Sequence, residues 1–406
     1  MLEGKHIVVG ISGGIAAYKI PMLIRLLVKQ GAEVRTVVTK NALEFVTELT
    51  LQTVSNNKVY RDMFAQHNEH STEHISLSDW ADLLIVAPAT ANVIGKMANG
   101  IADDALTTTF LAAACPVLIA PAMNSNMYQH PALQHNIHTL SQWSNIHFVD
   151  PEEGELACRA VGTGRMAEPE TIALKADYLL HEHDMEGMRV VITAGPTREL
   201  IDPVRFISNF STGKMAYALA REASRRGAAV DIISGSVDSA VLRRGTEYGA
   251  QVRRADSCQQ MYEQTTALAP QADIIILCAA VADFHISNEQ IAKEKISRKG
   301  DSLTLTFTPT QDIAAAVGKG KQEGQVLVGF ALETTNEKEH ALQKMSKKNL
   351  DMIVLNSLND AGAGFGYDTN RVTIFTKDGQ QTPLPLMLKE EVATEIINRV
   401  VEQKNR

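Results

Sequence analysis

Cysteine is scarce, with four residues in 406 at positions 115, 158, 258 and 278, none in a CxxC pair. That spacing argues against a disulfide framework or a cysteine-based zinc site, and makes each thiol by default a small buried hydrophobe. Long apolar runs are missing too; none approaches the length of a membrane span, so no membrane partner is expected. The opening MLEGKHIVVGIS lacks the basic-then-apolar layout of a signal peptide, and a cytoplasmic protein is expected. Nor is there an excess of positive charge: the formal net charge of −8 gives no support for nucleic-acid binding. What is present, 45% hydrophobic and 21% charged residues, is the composition of a soluble globular protein. At 406 residues the chain exceeds one ordinary core and predicts two or three domains.

The N-terminal half reads as strand-turn-helix units. Lys5 to Ile11 is a buried-strand pattern running into Ser12-Gly13-Gly14, a helical stretch 15–30, and a second strand ending at Thr39. A glycine turn of this kind lets a phosphate approach amides at a helix N-terminus. It is not GxGxxG, and a hydroxyl at Thr39 in place of an acidic residue suits a phosphate better than a ribose diol, which points to a mononucleotide such as FMN. Strand 83–87 ends in the polar turn Pro88-Ala89-Thr90-Ala91, and Asp103 and Asp104 are placed to cap a further helix. The strand 116–120 delivers the loop carrying Asn124, whose amide can both donate and accept; on these residues alone a plain strand-to-helix turn with Met123 and Met127 as core filler is the favoured reading.

Two stretches stay open on residues alone. His67, His70 and His74 lie in a polar run that fits a solvated loop, a metal site or a general base. Residues 150–169 are rich in Gly and Pro without sustained period, and read as a lid, with Cys158 and Arg165 as its chemical groups, or as a linker.

The design restarts at Met188 to Thr193, placing a domain boundary near residue 185. Ser211-Thr212-Gly213-Lys214 leads into a helix but lacks the full GxxxxGK[ST] pattern, so Walker A is rejected, while Asn209 and that helix start can still meet an anion. The apolar strand 272–280 ends near Asp283, a candidate Mg²⁺ or ribose contact. The run 293–299 packs four basic residues into seven positions, which fits either a triphosphate or a solvated charge run. Strands at 325–331 and 350–355 flank a helix bearing Lys344, Lys347 and Lys348.

In this order the segments GISGGIAAYK (10–19), APATAN (87–92), GIADD (100–104), PAMNSNMY (121–128) and ACRAVGTGRM (157–166) resemble the flavin-dependent cysteine decarboxylases. TAGPTRELIDPVRFISNFSTGKM (193–215), AAVADF (279–284), the KEK segment, GFALET (329–334) and KKNLDMIVLN (347–356) resemble the phosphopantothenate–cysteine ligases. Together they resemble the family of bifunctional coenzyme A biosynthesis proteins over almost the whole chain. The resemblance implies an α/β fold of two tandem Rossmann-like domains: a flavodoxin-like decarboxylase, 1–185, and a nucleotide-binding ligase, 186–406. It implies FMN held by Ser12, Gly13, Gly14, Thr39 and Pro88, Ala89, Thr90 and Ala91. His74 is then the base, Asn124 the carboxylate clamp and Cys158 the proton donor, with Ala157 and Arg165 also on substrate. For the ligase it implies CTP and Mg²⁺, with 4′-phosphopantothenate activated as an acyl-cytidylate before cysteine attacks. Lys295 and Asn209 would act on the reacting groups, and Asp283, Gln311, Asp312, Ile313, Ala314, Phe330, Lys344 and Lys348 would line the nucleotide site. A homo-oligomer is implied as well.

Three positions depart from the family pattern: Tyr128 where Trp is usual, Arg159 where Gly is usual, and Thr310-Gln311-Asp312 without a proline. The rivals are a peptidyl-cysteine decarboxylase-like or prenyl-flavin synthase-like enzyme, and a non-catalytic flavin-binding regulator. Possession of His74, Asn124 and Cys158 together with a full ligase half argues against both.

Overall fold

A computed structural model of the chain describes residues 2–62, 73–155, 161–287, 290–297, 303–357, 359 and 362–406. They form two compact units, 1–181 and 182–406, each with its own sheet and core.

In the first unit the strands β1 (His6–Ile11), β2 (Glu33–Val38), β3 (Val59–Tyr60), β4 (Leu83–Ala89), β5 (Val117–Pro121) and β6 (Ile146–Phe148) form one parallel sheet in the order 3-2-1-4-5-6. Parallel neighbours need crossovers, which helices supply, so both faces are covered and the strands read as unbroken apolar runs. Ile7, Val9 and Ile11 of β1 enter the core on one face and Val8 the core on the other, the alternation a pleated strand imposes. Without the two-residue edge strand β3, the order is flavodoxin-like. It reverses between β1 and β4, where open α/β sheets bind ligands.

The helical stretch after the glycine turn starts as a 3₁₀ segment, Ile15–Lys19, and becomes α-helical over Ile20–Lys29, with Pro21 in the first turn, where no amide donor is needed. Of the two aspartates read as caps, Asp104 caps the helix Ala105–Ala112, accepting from the Thr107 amide at 2.8 Å. Asp103 instead pairs with Lys96 at 2.7 Å. Two sequence readings are corrected. The end of the polar histidine-rich run is a helix, Glu73–Trp80: Leu77 and Ser78 are buried, and the Ser78 hydroxyl donates to the Thr109 carbonyl at 3.1 Å. Packing there overrides a composition that reads as loop. The Gly- and Pro-rich stretch is an antiparallel hairpin, Glu152–Glu155 with Val161–Arg165, whose strands are too short and too glycine-rich to show a period.

The second unit repeats the plan. Six parallel strands lie in the spatial order 251–254, 229–234, 189–194, 274–277, 326–333, 352–357, which in chain order is again 3-2-1-4-5-6. Val372–Thr376 and Gln381–Pro383 extend this sheet antiparallel. Val190 and Ile192 face one core and Val191 the other. The insert after the first strand folds as a hairpin, Arg198–Leu200 with Phe206–Ser208, and returns through Gly213 to the helix Lys214–Arg225. Gly213 has φ +76°, a left-handed conformation that suits glycine, and an added Cβ would lie 2.6 Å from Val237 Cγ1.

Candidate active sites

In the first unit the turns after β1, β4 and β5 converge on a cavity of about 600 Å³ lined by Gly13, Gly14, Lys19, Thr90, Ala91, Met123, Asn124 and Arg165, among others. Ser12 lies beneath it, 1% exposed. Its hydroxyl donates to the Pro88 carbonyl at 2.6 Å and accepts from the Thr90 amide at 3.1 Å, lacing the glycine turn to the turn after β4. Ala89 is fully buried, and its carbonyl accepts from the Ala122 amide at 3.0 Å, which fixes the Asn124 loop to the same turn. Asn124 caps the short helix Ser125–Tyr128, its Oδ1 accepting from the Asn126 amide at 2.9 Å. The hairpin closes one side: the Met123 amide donates to the Gly164 carbonyl at 2.9 Å. Tyr128 packs against the core on that face, so its replacement of a larger ring is accommodated there.

Thr39 follows the last residue of β2 and is 8% exposed, yet its Oγ1 has no hydrogen-bond partner among the described residues. A buried hydroxyl without a partner is costly, and the phosphate oxygen of a bound mononucleotide would satisfy it. The residues present fit FMN on that observation. Arg165 and Lys19 both engage Glu168, Lys19 at 2.8 Å. Lys19 first, and then the charge of Arg165, hold the Glu168 carboxyl below its usual range against the opposing effect of burial. Neither Lys19 nor Glu168 is distinguished in the sequence, because the pair joins positions 149 apart. His74 falls on the first turn of the helix Glu73–Trp80, but its side chain is outside the description, and Ala157, Cys158 and Arg159 lie outside the described residues.

The second unit carries two adjoining cavities sharing Ala279, Val281, Asp283 and Phe330 as a common wall. One, of about 320 Å³, is also lined by Asn209, Ser211 to Lys214, Asn356, Phe365 and Lys389. The other, of about 340 Å³, is also lined by Gln311 to Ala314, Lys344 and Lys348. Asn209 is positioned by its Nδ2 donating to the Ala280 carbonyl at 2.9 Å. Asp312 caps the helix Ile313–Gly320, accepting from the Ala315 amide at 3.0 Å, so the turn forms without a proline. Burial opposes its ionisation, but that amide and Lys348, 3.0 Å away, outweigh it and keep the carboxyl below the usual range. Lys344 reaches Glu333 at 2.5 Å. Both lysines line the cavity and each is paired with a carboxylate. Lys295 is exposed and is not among the residues lining either cavity. Its segment is tied down by the Ile296 amide donating to Asp202 at 3.1 Å and by Arg205 donating to the Ile296 carbonyl at 2.7 Å. Among the described residues no group of three His, Cys, Asp or Glu side chains could hold a metal by itself. Sequence reasoning misses Asn356, whose buried Oδ1 lacks a partner among the described residues, and Lys389. A strand-ending Asn leaves only a faint signal, and a Lys within the charged run LKEE leaves none.

Each half is therefore a doubly wound α/β unit with a cavity at the carboxyl ends of its strands, where open sheets of this kind bind ligands, and the residues of the first fit a flavin. Residues 1–180 match the Flavoprotein family, and residues 185–403 match the family described as DNA/pantothenate metabolism flavoprotein C-terminal domain. The chain is 48% identical over 403 residues to the coenzyme A biosynthesis bifunctional protein CoaBC of Bacillus subtilis (strain 168), covering 98% of this chain and 97% of that protein. It is 43% identical over 405 residues to the protein of the same name from Haemophilus influenzae, covering 99% and 98%. A cysteine/cysteine sulfinic acid decarboxylase from an unknown prokaryotic organism is 45% identical over 361 residues, 88% of this chain and 99% of that one. The chain belongs to the family of coenzyme A biosynthesis bifunctional proteins.

Proposed function

We propose that this chain catalyses two steps of coenzyme A biosynthesis. Residues 186–406 join 4′-phosphopantothenate to cysteine with CTP, and residues 1–185 decarboxylate the resulting 4′-phosphopantothenoylcysteine to 4′-phosphopantetheine with FMN. The observation that carries this reading is similarity to a bifunctional relative along both units at once, 98% of the chain, with a ligand cavity in each.

In the ligase half, the carboxylate of 4′-phosphopantothenate attacks the α-phosphorus of CTP, forming an acyl-cytidylate and releasing pyrophosphate. The cysteine amine then attacks the acyl carbon and CMP leaves. A carboxylate is a poor electrophile until it carries such a leaving group. Phe330, Lys344, Lys348 and the turn Gln311 to Ala314 hold the nucleotide, and Asp283 would help hold Mg²⁺, which would offset phosphate charge. Asn209 steadies the acyl-cytidylate, and Lys295 neutralises charge as it develops.

In the decarboxylase half, FMN supplies a reversible two-electron sink beside the substrate's C–S centre, so that loss of CO₂ leaves no net redox change. The Ser12–Gly14 turn, the Pro88–Ala91 turn and the Thr39 hydroxyl would hold it. Asn124, aided by Ala157 and Arg165, holds the substrate carboxylate. His74 takes a proton from the substrate and Cys158 returns one. The hairpin over the cavity keeps water from the reacting atoms. The reading carries with it a cytoplasmic homo-oligomer. Apolar side chains left exposed around the insert of the second unit, Leu200, Val204 and Phe210, support self-association.

The similarity to a cysteine/cysteine sulfinic acid decarboxylase favours a second reading, in which the first unit acts on the free amino acid. Purified protein given 4′-phosphopantothenate, cysteine, CTP and Mg²⁺, and in parallel cysteine or cysteine sulfinate alone, separates the two by mass spectrometry. The condensation product followed by its CO₂-loss product is expected. CO₂ loss from cysteine or cysteine sulfinate alone, with no condensation product, would replace the first reading by the second.

A further inference from the structure

Two lysines far apart in sequence meet one glycine-rich loop, Gly362 to Asp368, which forms part of the wall of the cavity holding Asn209. Lys389, the first residue of the helix Lys389–Lys404, is 7% exposed. Its Nζ donates to the Gly364 carbonyl at 3.0 Å and the Tyr367 carbonyl at 2.7 Å. Lys214, the first residue of its own helix, donates to the Gly366 carbonyl at 3.2 Å and to Asp368 Oδ1 at 2.6 Å. The loop's carbonyls therefore turn toward two ammonium groups. Its ends are tied by the Thr369 hydroxyl donating to the Gly362 carbonyl at 2.7 Å and by the Gly364 amide donating to Asn370 Oδ1 at 3.4 Å. Gly364, Phe365, Lys214 and Lys389 all line the cavity.

The charges in this arrangement are not balanced within the wall. A buried ammonium is costly unless well hydrogen-bonded, and the partners of Lys389 are two neutral carbonyls. Burial, and then the neighbouring Lys214 charge, pull the Lys389 ammonium below its usual range. The carboxylate on Lys214, that of Asp368, is 79% exposed and faces water, where its compensation is screened. Two cations side by side with weak compensation leave a positive field in the cavity, which an entering polyphosphate would meet.

We propose that Lys389 is a positioning residue for the polyphosphate of the nucleotide where it extends past the shared wall of Ala279, Val281, Asp283 and Phe330 into this cavity. It seats the Gly362–Asp368 loop, and through that loop's Gly366 carbonyl and Asp368 it holds Lys214 at the phosphate groups. The inference rests on the ligase reading given above. It goes beyond it in assigning a task to a buried lysine and a loop outside the expected nucleotide site.

The test uses full-length protein, CTP with Mg²⁺ as the probe, and the variants Lys389→Met, Lys389→Arg and Asp368→Asn. Hydrogen–deuterium exchange over 362–370 should slow when CTP binds the unaltered protein. In Lys389→Met the loop should exchange faster, the calorimetric affinity for CTP should fall roughly tenfold, the scale of a lost charge-assisted hydrogen bond, and KM should rise while kcat holds. Lys389→Arg should recover most of this, and Asp368→Asn should lose a few-fold. Unchanged loop exchange and CTP affinity in Lys389→Met would overturn the proposal, as would a loss of melting temperature alone. Should Lys389→Met not fold, an unchanged affinity in Asp368→Asn overturns it by itself. An unaltered protein whose loop is protected by CTP but that makes no condensation product sinks the ligase reading and leaves the positioning role standing.

Discussion

Thr39 and Glu168 show how single side chains in the first unit are set for a ligand. The Thr39 hydroxyl is buried without a partner among the described residues, so replacing it by valine removes an unsatisfied group while keeping its shape. Thr39→Val should leave the melting temperature of flavin-free protein unchanged or higher, and weaken FMN binding by roughly tenfold in a fluorescence titration. Equal affinity in both proteins would remove Thr39 from the phosphate site. Glu168 is tuned by charge instead. Its folded-state pKa is depressed, chiefly by Lys19, so its stabilising contribution is full above the unfolded carboxylate value of ~4.3 and is lost as pH falls through the lower folded value. With a third of the side chain exposed, the pair is worth under about 1 kcal/mol. Glu168→Gln should lower the urea midpoint of the first unit at neutral pH, and the two midpoints should converge as the pH falls below the unfolded carboxylate range. A gap that persists in acid would mean that packing, rather than charge, is lost.

Among the elements, the turn through Gly213 joins backbone geometry to the ligase cavity. Its left-handed conformation and the 2.6 Å approach of Val237 leave no room for a side chain. Gly213→Ala should cost about 1–2 kcal/mol in the second unit's denaturation midpoint and weaken CTP binding, because Ser211, Thr212 and Lys214 share that turn and line the cavity. Loss of stability with intact binding would show the turn to be scaffold only. The elements legible in the sequence were the parallel strands: β1, β4, β5 and their counterparts 189–194 and 274–277 are buried on both faces and stand out as short apolar runs. Their ends, which carry Gly13, Thr90, Asn124 and Asp283, were legible for the same reason. The hairpins 198–200 with 206–208 and 152–155 with 161–165 were not, since strands of three to five residues with charges and glycines show no alternation. Nor was the helix 73–80, held by Leu77 and Ser78 against a neighbour that local sequence does not announce. Lys389 and Glu168 become site residues only through contacts with distant segments.

At the scale of the whole chain, the described core of the first sheet runs to Ala176 and that of the second starts at Met185. Leu179 and Leu180 still pack on the first core, while the Met185 amide donates to the Arg226 carbonyl at 3.1 Å and Arg226 Nε pairs with Asp184 at 2.8 Å. A cut between His181 and Glu182 therefore severs none of these contacts, and each part keeps the apolar surface that folds it. Produced separately, 182–406 should fold and condense 4′-phosphopantothenate with cysteine in the absence of flavin, while 1–181 should bind FMN and leave those substrates untouched. If 182–406 folds by circular dichroism yet condenses only when 1–181 and FMN are added back, the two reactions are not carried by separable units. In that case the division of labour between the halves is wrong, even though the division of the fold is right.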